Sequence, residues 1–302
     1  VNPDIDIDGD GQKDLASKIN ALWQSSYQNF FQKLRNELGG KYLIIGNGDG
    51  AYYDYLNGRM MEGFPEFYEG GWTGSIKRYQ KNNNDGYQPR ANIINSDTKN
   101  TGHYQDYRAM RYGLASALLF DGYYSFDYGT ALREQLWWYD EYDAKLGKPK
   151  SEPFNLLNKQ GDLSGGVWQR DFTNGLVLVN STAEKQKIEF DAEYEKIHGA
   201  QDPQTNDGAK INEVEIKPQD GIILYRPIKE IKNNVYVNGS FARVFNNEGK
   251  NIRTGFFAYD QKFRGQNKII KSDINNDGQM ETVVADNSSV SIYGELEKIK
   301  TI

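Results

Sequence analysis

The hydrophobic pattern of this chain changes near residue 150, and that change limits the folds it can adopt. Before it, short apolar runs alternate with segments whose apolar residues recur every three or four positions. Such spacing is typical of amphipathic helices, and the short apolar runs are typical of buried strands. Strands that alternate with helices indicate right-handed βαβ units and a parallel sheet. The sequence predicts helices over 13–38, 70–82 and 105–120, and strands over 41–46, 57–64, 91–97 and 123–127.

After residue 150 the pattern is that of antiparallel β structure. From Gly166 onward the apolar segments are short, rich in β-branched residues and separated by turn pairs such as Asn174-Gly175 and Asp220-Gly221. This pattern predicts an antiparallel β-sandwich and then a shorter β-rich segment. The predicted fold class is α/β plus all-β. The predicted domains are 1–150 with the βα units, 151–228 with the sandwich, and 229–302 with the β-rich segment.

An acidic motif occurs near both ends of the chain. Each copy alternates Asp or Asn with other residues, and then has a Gly that permits a sharp turn and a closing carboxylate. Such a loop directs several oxygen ligands to one side, as Ca²⁺ requires. The alternative is an acidic, Gly-rich turn that binds no ion. Ser17 and Val284 stand where an EF-hand has its last Glu, so we expect structural rather than regulatory sites. The predicted ligands are Asp6, Asp8, Asp10 and Asp14 in the first loop, and Asp273, Asn275, Asp277 and Glu281 in the second.

Composition excludes several classes of protein. The chain has 302 residues, a net charge of -6 and a pI near 5.2, whereas a nucleic-acid-binding protein would need a basic stripe. It has no cysteine, which excludes disulfides and thiolate zinc sites, and its two histidines argue against His-rich metal sites and Ser-His triads. No apolar run approaches the roughly 20 residues that span a bilayer. Calcium loops, the lack of cysteine and 21 Tyr, 14 Phe and 5 Trp together predict a secreted or cell-surface bacterial protein.

Several stretches of the chain resemble a known family. They read I-G-N-G-D-G, L-N-G-R-M-M-E-G-F-P, M-R-Y-G-L-A-S-A-L-L-F-D-G-Y-Y-S-F-D and W-W-Y-D-E-Y-D-A-K-L-G-K-P. Residues 41–147, which contain them, are similar to the C-terminal half of a TIM barrel in bacterial hypothetical glycoside hydrolases, distantly related to α-galactosidase-type barrels. Residues 166–226 resemble the β-domain that follows such barrels. Residues 269–285 resemble FG-GAP or VCBS-type repeats, which bind Ca²⁺.

The resemblance implies that part of the barrel comes from outside this chain. A (β/α)₈ barrel needs eight strands, and the predicted βα units correspond to the last four. In the family the nucleophilic carboxylate follows the fourth strand and the acid/base follows the sixth, so the nucleophile is expected elsewhere. A half-barrel would leave two sheet edges open. We therefore expect a missing N-terminal segment or a second chain to complete the barrel, with a half-barrel of different role as the alternative.

The candidate catalytic residue is Glu62. Glycoside cleavage needs two carboxylates that flank the scissile bond, and in a barrel these lie at the C-terminal ends of strands. Glu62 lies near the end of the second predicted strand, where it is placed to act as general acid/base. The alternative is that Glu62 forms an ion pair with Arg59.

Other polar and aromatic residues near strand ends are candidate contacts for a sugar. Carboxylates and amides bind hydroxyl groups, and aromatic rings stack on the apolar faces of sugars. For the aspartates that end strands the alternative is a helix N-cap, and for the glycine-rich loop it is a plain turn. For the tryptophans the alternative is packing of the barrel against the sandwich. The candidates are Asn47, Asp49, Asp97, Asp127, Trp137, Trp138 and Asp140.

The predicted function is that of a secreted glycoside hydrolase, or its C-terminal portion, which cleaves a glycan by carboxylate acid/base catalysis. Ca²⁺ is the predicted structural cofactor. The alternative is a non-catalytic carbohydrate-binding or surface-structural protein that calcium stabilises. A second acidic residue within about 10 Å of Glu62 would favour the enzyme.

Overall fold

The computed structural model describes residues 5–47, 52–65, 70–132, 135, 137–157, 165–226, 235–238, 241–245, 251–257, 268–285, 289–294 and 298–301. The helices are α1 (Ala16–Leu38), α2 (Gly71–Asp85) and α3 (Tyr107–Leu118), with a short 3-10 helix, η1, at Asp140–Asp143. The strands are β1 (Ile45–Asn47), β2 (Gly58–Met61), β3 (Ile93–Asp97), β4 (Tyr123–Asp127), β5 (Phe154–Asn155), β6 (Val167–Phe172), β7 (Gly175–Asn180), β8 (Gln186–Lys196), β9 (Lys210–Ile216), β10 (Asp220–Tyr225), β11 (Val235–Asn238), β12 (Phe241–Phe245), β13 (Asn251–Phe257), β14 (Lys268–Ser272), β15 (Glu281–Ala285), β16 (Val290–Tyr293) and β17 (Lys298–Thr301).

The chain divides into two compact units. Unit 1 comprises residues 1–95 and 120–125, and unit 2 comprises residues 96–119 and 126–302. The strands β3 and β4 each begin in unit 1 and end in unit 2. Across the described ranges, no helix has the length and apolar character needed to cross a membrane.

The first sheet has the strand order β1-β2-β3-β4. β1 pairs with β2 and β2 pairs with β3, both in parallel. The Tyr123 amide donates to the Asn92 carbonyl at 2.8 Å, and the Thr98 amide donates to the Asp127 carbonyl at 3.0 Å, so β3 and β4 also run in the same direction. This confirms the predicted parallel sheet. Because these are the four strands that the sheet contains within the described residues, a closed eight-stranded barrel stays a prediction.

The predicted elements of the first half agree with the observed ones to within four residues at each boundary, and for two of the boundaries that differ the structure shows a local reason. α1 begins later than predicted because the Asp14 carboxylate accepts a hydrogen bond from the Ile7 amide at 2.8 Å and so belongs to the preceding loop. β1 also begins later than predicted, because the Ile44 amide donates to the Asn57 side chain at 2.8 Å instead of to a strand. Side-chain acceptors thus shorten both elements.

The second sheet lies wholly in unit 2, is antiparallel and has the order β5-β6-β7-β10-β8-β9. β8 pairs with β9 on both sides of a register shift that lies between Glu189 and Tyr194, and the end of β8 at Glu195 and Lys196 also pairs with β10. Apolar side chains from five of its strands, β6 to β10, meet in one core. The antiparallel strands are as predicted, and the two-layered sandwich stays a prediction. The core residues are Val167, Leu176, Leu178, Ile188, Val214, Ile216, Ile222 and Leu224.

Helix α3 packs on β7 and β10 of this sheet. The contact is close because Gly221 on β10 has no side chain. A Cβ atom at Gly221 would lie 2.4 Å from the Ala115 Cβ and 2.8 Å from the Arg111 carbonyl oxygen. Glycine is therefore required where helix and sheet meet, and the sequence marks that position only as part of a turn pair.

Two further antiparallel sheets follow, β11-β12-β13 and β14-β15-β16-β17. Asn238 at the end of β11 is buried and connects to β8. Its side-chain nitrogen donates to a Glu195 carboxylate oxygen at 3.0 Å and to the Lys196 carbonyl at 2.6 Å, and its oxygen accepts from the His198 amide at 2.7 Å. The FG-GAP or VCBS-type repeat stays a prediction.

Candidate active site

Glu62 lies where the sequence predicts, directly after β2 in unit 1. Asn47 ends the neighbouring strand β1, and the parallel register places it opposite Met60. The Asn47 side-chain nitrogen donates a hydrogen bond to Glu62 Oε1 at 3.2 Å. A half-buried carboxylate, open to solvent and oriented by an amide, has the placement that a general acid/base needs.

The backbone around Glu62 is held by neighbouring elements. Gly63 has a φ of +66°, and the Phe64 amide donates to the Asn95 carbonyl at 2.9 Å. The Arg59 guanidinium lies 5.1 Å from the centroid of the Tyr53 ring. The ion pair between Arg59 and Glu62 stays an alternative, and the catalytic role of Glu62 stays a prediction.

Asp97 ends β3 and Asp127 ends β4, both in unit 2. An Asp97 carboxylate oxygen accepts a hydrogen bond from the Lys99 amide at 2.7 Å. The N-cap of α3 is Asp106, which accepts from the Ala109 amide at 3.1 Å, so the N-cap alternative for Asp97 is wrong. The Asp127 side chain is buried at the strand end. Both carboxylates are thus at the predicted strand ends, and their contact with a sugar stays a prediction.

A tight turn after β3 was not singled out by the sequence. Lys99 and Asn100 have φ values of +53° and +61°, which cost free energy in residues other than glycine. The turn is fixed by Thr98, whose hydroxyl donates to the Tyr128 carbonyl at 2.7 Å and accepts from the Gly102 amide at 2.9 Å. The only sequence signal would have been the polar run that follows Asp97.

The two adjacent tryptophans have different surroundings in unit 2. The Trp137 ring packs near Tyr104 and Phe126, with centroids 5.8 and 6.0 Å away. The Trp138 ring is 52% exposed, and its indole nitrogen donates to an Asp143 carboxylate oxygen at 3.2 Å. Packing therefore accounts for Trp137, while the Trp138 ring is half-exposed, with the Tyr142 ring edge-to-face at 5.6 Å and a carboxylate beside it.

Asp140 is buried and holds a distant loop. One carboxylate oxygen accepts from the amides of Ala200 and Gln201 at 2.7 and 2.8 Å, and the Gln201 side chain accepts from the Asp140 amide at 2.9 Å. These bonds give Asp140 a structural function within the protein. Its predicted contact with a sugar stays a prediction, and Asp49 lies outside the described residues.

A buried charge cluster that the sequence did not predict lies next to η1. The Arg111 guanidinium on α3 contacts both oxygens of Asp220 at 3.1 and 3.2 Å and one oxygen of Asp202 at 2.5 Å, with Glu141 at 3.8 Å. Glu141 also accepts from the Asn206 side chain at 2.8 Å. One guanidinium thus faces three carboxylates that come from three separate segments.

Burial shifts the titration of this cluster. It raises the pKa of Glu141 and of Asp220, and the hydrogen bonds and the charge of Arg111 offset this only in part. Burial opposes the charged form of Arg111, yet Asp220, Glu141 and Asp202 outweigh that effect and the pKa of Arg111 is raised. Perturbed groups of this kind also occur in structural networks, and the internal hydrogen bonds favour that role here.

The two predicted calcium loops have the same conformation. Gly11 and Gly278 have φ values of +85° and +84°. Each Gly amide donates to the first Asp of its loop, and each closing carboxylate accepts from an amide near the loop start, at 2.8–2.9 Å in all four cases. In the first loop, oxygen atoms of Asp6, Asp8 and Asp14 lie within 4.8 Å of one another. The donor set and its convergence fit a hard cation such as Ca²⁺.

The two loops differ in one nearby residue. In the first, the Lys18 ammonium contacts the carboxylates of Asp8 and Asp14. The equivalent position in the second loop is Ala285. An ion in the first loop would therefore compete with Lys18, whereas the second has no ammonium at that position.

The sequence profile of the hypothetical glycosyl hydrolase family 15 matches residues 2–176. This is more than half of the chain. The chain belongs to that family. No curated protein sequence matches the chain.

In this hypothetical family 15 glycosyl hydrolase, the residues that match the family profile include the four described strands of the parallel sheet, the first acidic loop and Glu62. The match continues past η1 through β6 and ends where β7 begins. The family therefore accounts for the glycosyl hydrolase-like character of the first half. The α-galactosidase relationship stays a prediction.

Proposed function

We propose that this family member is part of an extracellular glycoside hydrolase in which Glu62 is the general acid/base. The family match supports hydrolysis of a glycosidic bond. The observation that carries the residue assignment is the hydrogen bond from Asn47 to Glu62 at the ends of β1 and β2. It orients the carboxylate of a half-buried side chain at the strand ends, which is the placement that proton exchange with a leaving group needs.

The second carboxylate of the mechanism is proposed to come from outside this chain. The resemblance puts the nucleophile after an earlier barrel strand, and the parallel sheet has four strands within the described residues. A preceding segment or a second chain would supply the remaining strands and so close the sheet edges. Asp97 and Asp127 are proposed to bind sugar hydroxyls.

The test is the Glu62→Gln variant of the protein, assayed with its barrel complete on a panel of nitrophenyl glycosides. Loss of a general acid lowers kcat about 10²- to 10⁴-fold. Dinitrophenyl glycosides need little protonation of the leaving group, so the variant is expected to lose less rate in bond cleavage with them. Glu37→Gln is the matched control, because Glu37 is an exposed glutamate on α1 in the same unit. Wild-type rates in Glu62→Gln on both substrates would refute the assignment.

A second candidate function is glycan binding without hydrolysis, which the exposed Trp138 ring favours. Stacking of a sugar on this ring with Asp143 beside it needs no second carboxylate. If so, the intact protein binds a glycan without cleaving it, and Trp138→Ala abolishes binding. Trp138→Phe is the control that keeps a ring face.

We also propose that the two acidic loops bind Ca²⁺ as a structural ion. Asp6, Asp8, Asp10 and Asp14 would hold one ion, and Asp273, Asn275, Asp277 and Glu281 another. Such ions stabilise a fold by binding only to its native state. Secretion agrees with this proposal, since weak extracellular calcium sites are filled at the calcium concentrations outside cells.

A further inference from the structure

Unit 2 contains a cavity of about 460 Å³ that no residue of the proposed active site lines. Its walls come from the start of α3, the ends of β8 and β9, the start of β10 and the loop near Asp202. Small-molecule sites have volumes of roughly 300–1,000 Å³, so the size suits a short oligosaccharide. Val214 and Ile222 give it an apolar wall, while most of its other groups are polar.

Most of the charged groups in this cavity are neutralised by the protein itself. Asp202 and Asp220 are occupied by Arg111. Lys196 pairs with Asp207 at 3.2 Å, and Glu215 pairs with Lys185 at 2.8 Å. The Asp106 carboxylate caps α3. Asp106 keeps its negative charge, and Arg111 offsets one of the two charges of Asp202 and Asp220, so these groups together leave a small negative excess.

Two cations of the cavity remain available. Arg108 and Lys217 are exposed, and neither has an ion-pair partner in the part of the chain that the structure describes. They line the same cavity and balance that excess, so its lining has four cations and four carboxylates on a chain whose net charge is -6. The exposed positive charge of the cavity is therefore confined to these two side chains. An arginine and a lysine without partners favour an anionic ligand.

We infer that this cavity binds an acidic oligosaccharide, whose uronate carboxylate or sulfate ester contacts Arg108 and Lys217. Hydroxyl groups of the sugar would face the polar walls, and an apolar sugar face would lie against Val214 and Ile222. The site is separate from Glu62, so its existence does not depend on the proposed hydrolysis. It would hold an acidic polysaccharide on the protein.

The experiment measures binding of three tetrasaccharides to the full chain by isothermal titration calorimetry. Tetragalacturonate carries carboxylates, a carrageenan tetrasaccharide carries sulfates, and maltotetraose is neutral. We expect at least one acidic probe to bind about tenfold more tightly than maltotetraose, and the tighter of the two identifies the anion. Equal affinity for all three probes, or binding of inorganic sulfate as tight as that of the sulfated tetrasaccharide, would overturn the inference.

Variants locate the site. Arg108→Gln and Lys217→Gln are each expected to weaken the acidic probe about fivefold, the effect of losing one favourable charge contact. Thr205→Trp fills the cavity without changing its charge and is expected to abolish binding. Lys150→Gln removes an exposed cation elsewhere in unit 2 and is the control.

Circular dichroism and the melting temperature establish that each variant is folded. If a folded Thr205→Trp binds normally, or Lys150→Gln weakens binding as much as Arg108→Gln, the cavity is not the site.

Discussion

Arg111 neutralises carboxylates from three segments that are far apart in the sequence. Asp202 and Asp220 lie 91 and 109 residues away from it, and Glu141 lies on η1. Its side chain is 5% exposed, so water cannot replace the guanidinium if it is lost. Single-residue changes here are therefore expected to act on the stability of unit 2.

Replacing Arg111 with Met should lower the free energy of unfolding by about 3–5 kcal/mol, because it leaves buried carboxylates without a counter-charge. Arg108→Met, one helical turn away and exposed, should change it by less than about 0.5 kcal/mol. Urea denaturation followed by circular dichroism measures both. A cost for Arg111→Met as small as that of Arg108→Met would show that the cluster contributes no stability.

Glu141 gives a pH-dependent prediction. Because burial raises its pKa above the ordinary value of 4.5, the folded state binds this proton more tightly than the unfolded state. The ionised form costs stability at neutral pH, and the cost disappears as pH falls through the folded pKa towards 4.5. Glu141→Gln should therefore stabilise the protein at pH 7 by about 1 kcal/mol, since Gln keeps the acceptor for Asn206 and reduces the excess negative charge.

Urea denaturation of both proteins from pH 5 to pH 8 checks this, and the advantage of Glu141→Gln should shrink as pH falls. Glu152→Gln, at an exposed position, is the control and should show no such trend. If Glu141→Gln is less stable than wild type at pH 7, the attraction of Arg111 outweighs the cost of burial.

At the scale of elements, the contact between α3 and β10 depends on the absence of a side chain. Gly221→Ala should destabilise the protein by about 1–3 kcal/mol, the usual cost of overpacking, because its Cβ would meet backbone and Cβ atoms that cannot rotate away. Gly165→Ala is the matched control, with nothing within 4 Å of the added Cβ. Thermal unfolding measures both, and equal melting temperatures for the two variants would contradict the packing argument.

Local pattern predicted the elements because the strands and helices of the first half have strong periodicity. β4 lies where its alternating aromatic run predicts, and the helical spacing identified α3. Two of the boundary errors fall where a side chain competes with the backbone for a hydrogen bond, as Asp14 does before α1 and Asn57 does before β1. Such competition depends on which residues meet in space, which a local pattern does not contain.

At the scale of the whole molecule, the two acidic loops give a prediction for calcium. A chelator should lower the melting temperature, because an ion bound only to the native state stabilises it by mass action, about 2.7 kcal/mol at a hundredfold excess over Kd. Asp273→Ala should reduce the effect of the chelator more than Asp6→Ala does, since Lys18 partly neutralises the first loop. Differential scanning calorimetry with and without calcium measures this. A melting temperature that chelation leaves unchanged would show that calcium does not stabilise this protein.

The sequence by itself determined the local properties of this protein. Periodicity identified the parallel βα units and the later antiparallel strands, and motif spacing identified the two acidic loops. The order of the chain also placed Glu62, Asp97 and Asp127 at strand ends. Each of these follows from residues that are neighbours in the sequence, so backbone geometry alone connects them.

Tertiary structure decided which side chains meet. It paired Asn47 with Glu62, joined Arg111 to carboxylates about a hundred residues away, and assigned Trp137 to packing and Trp138 to the surface. It also formed the cavity with Arg108 and Lys217. These contacts depend on how the strands and helices pack, and long-range packing is set by the whole apolar core and not by any short stretch of the sequence.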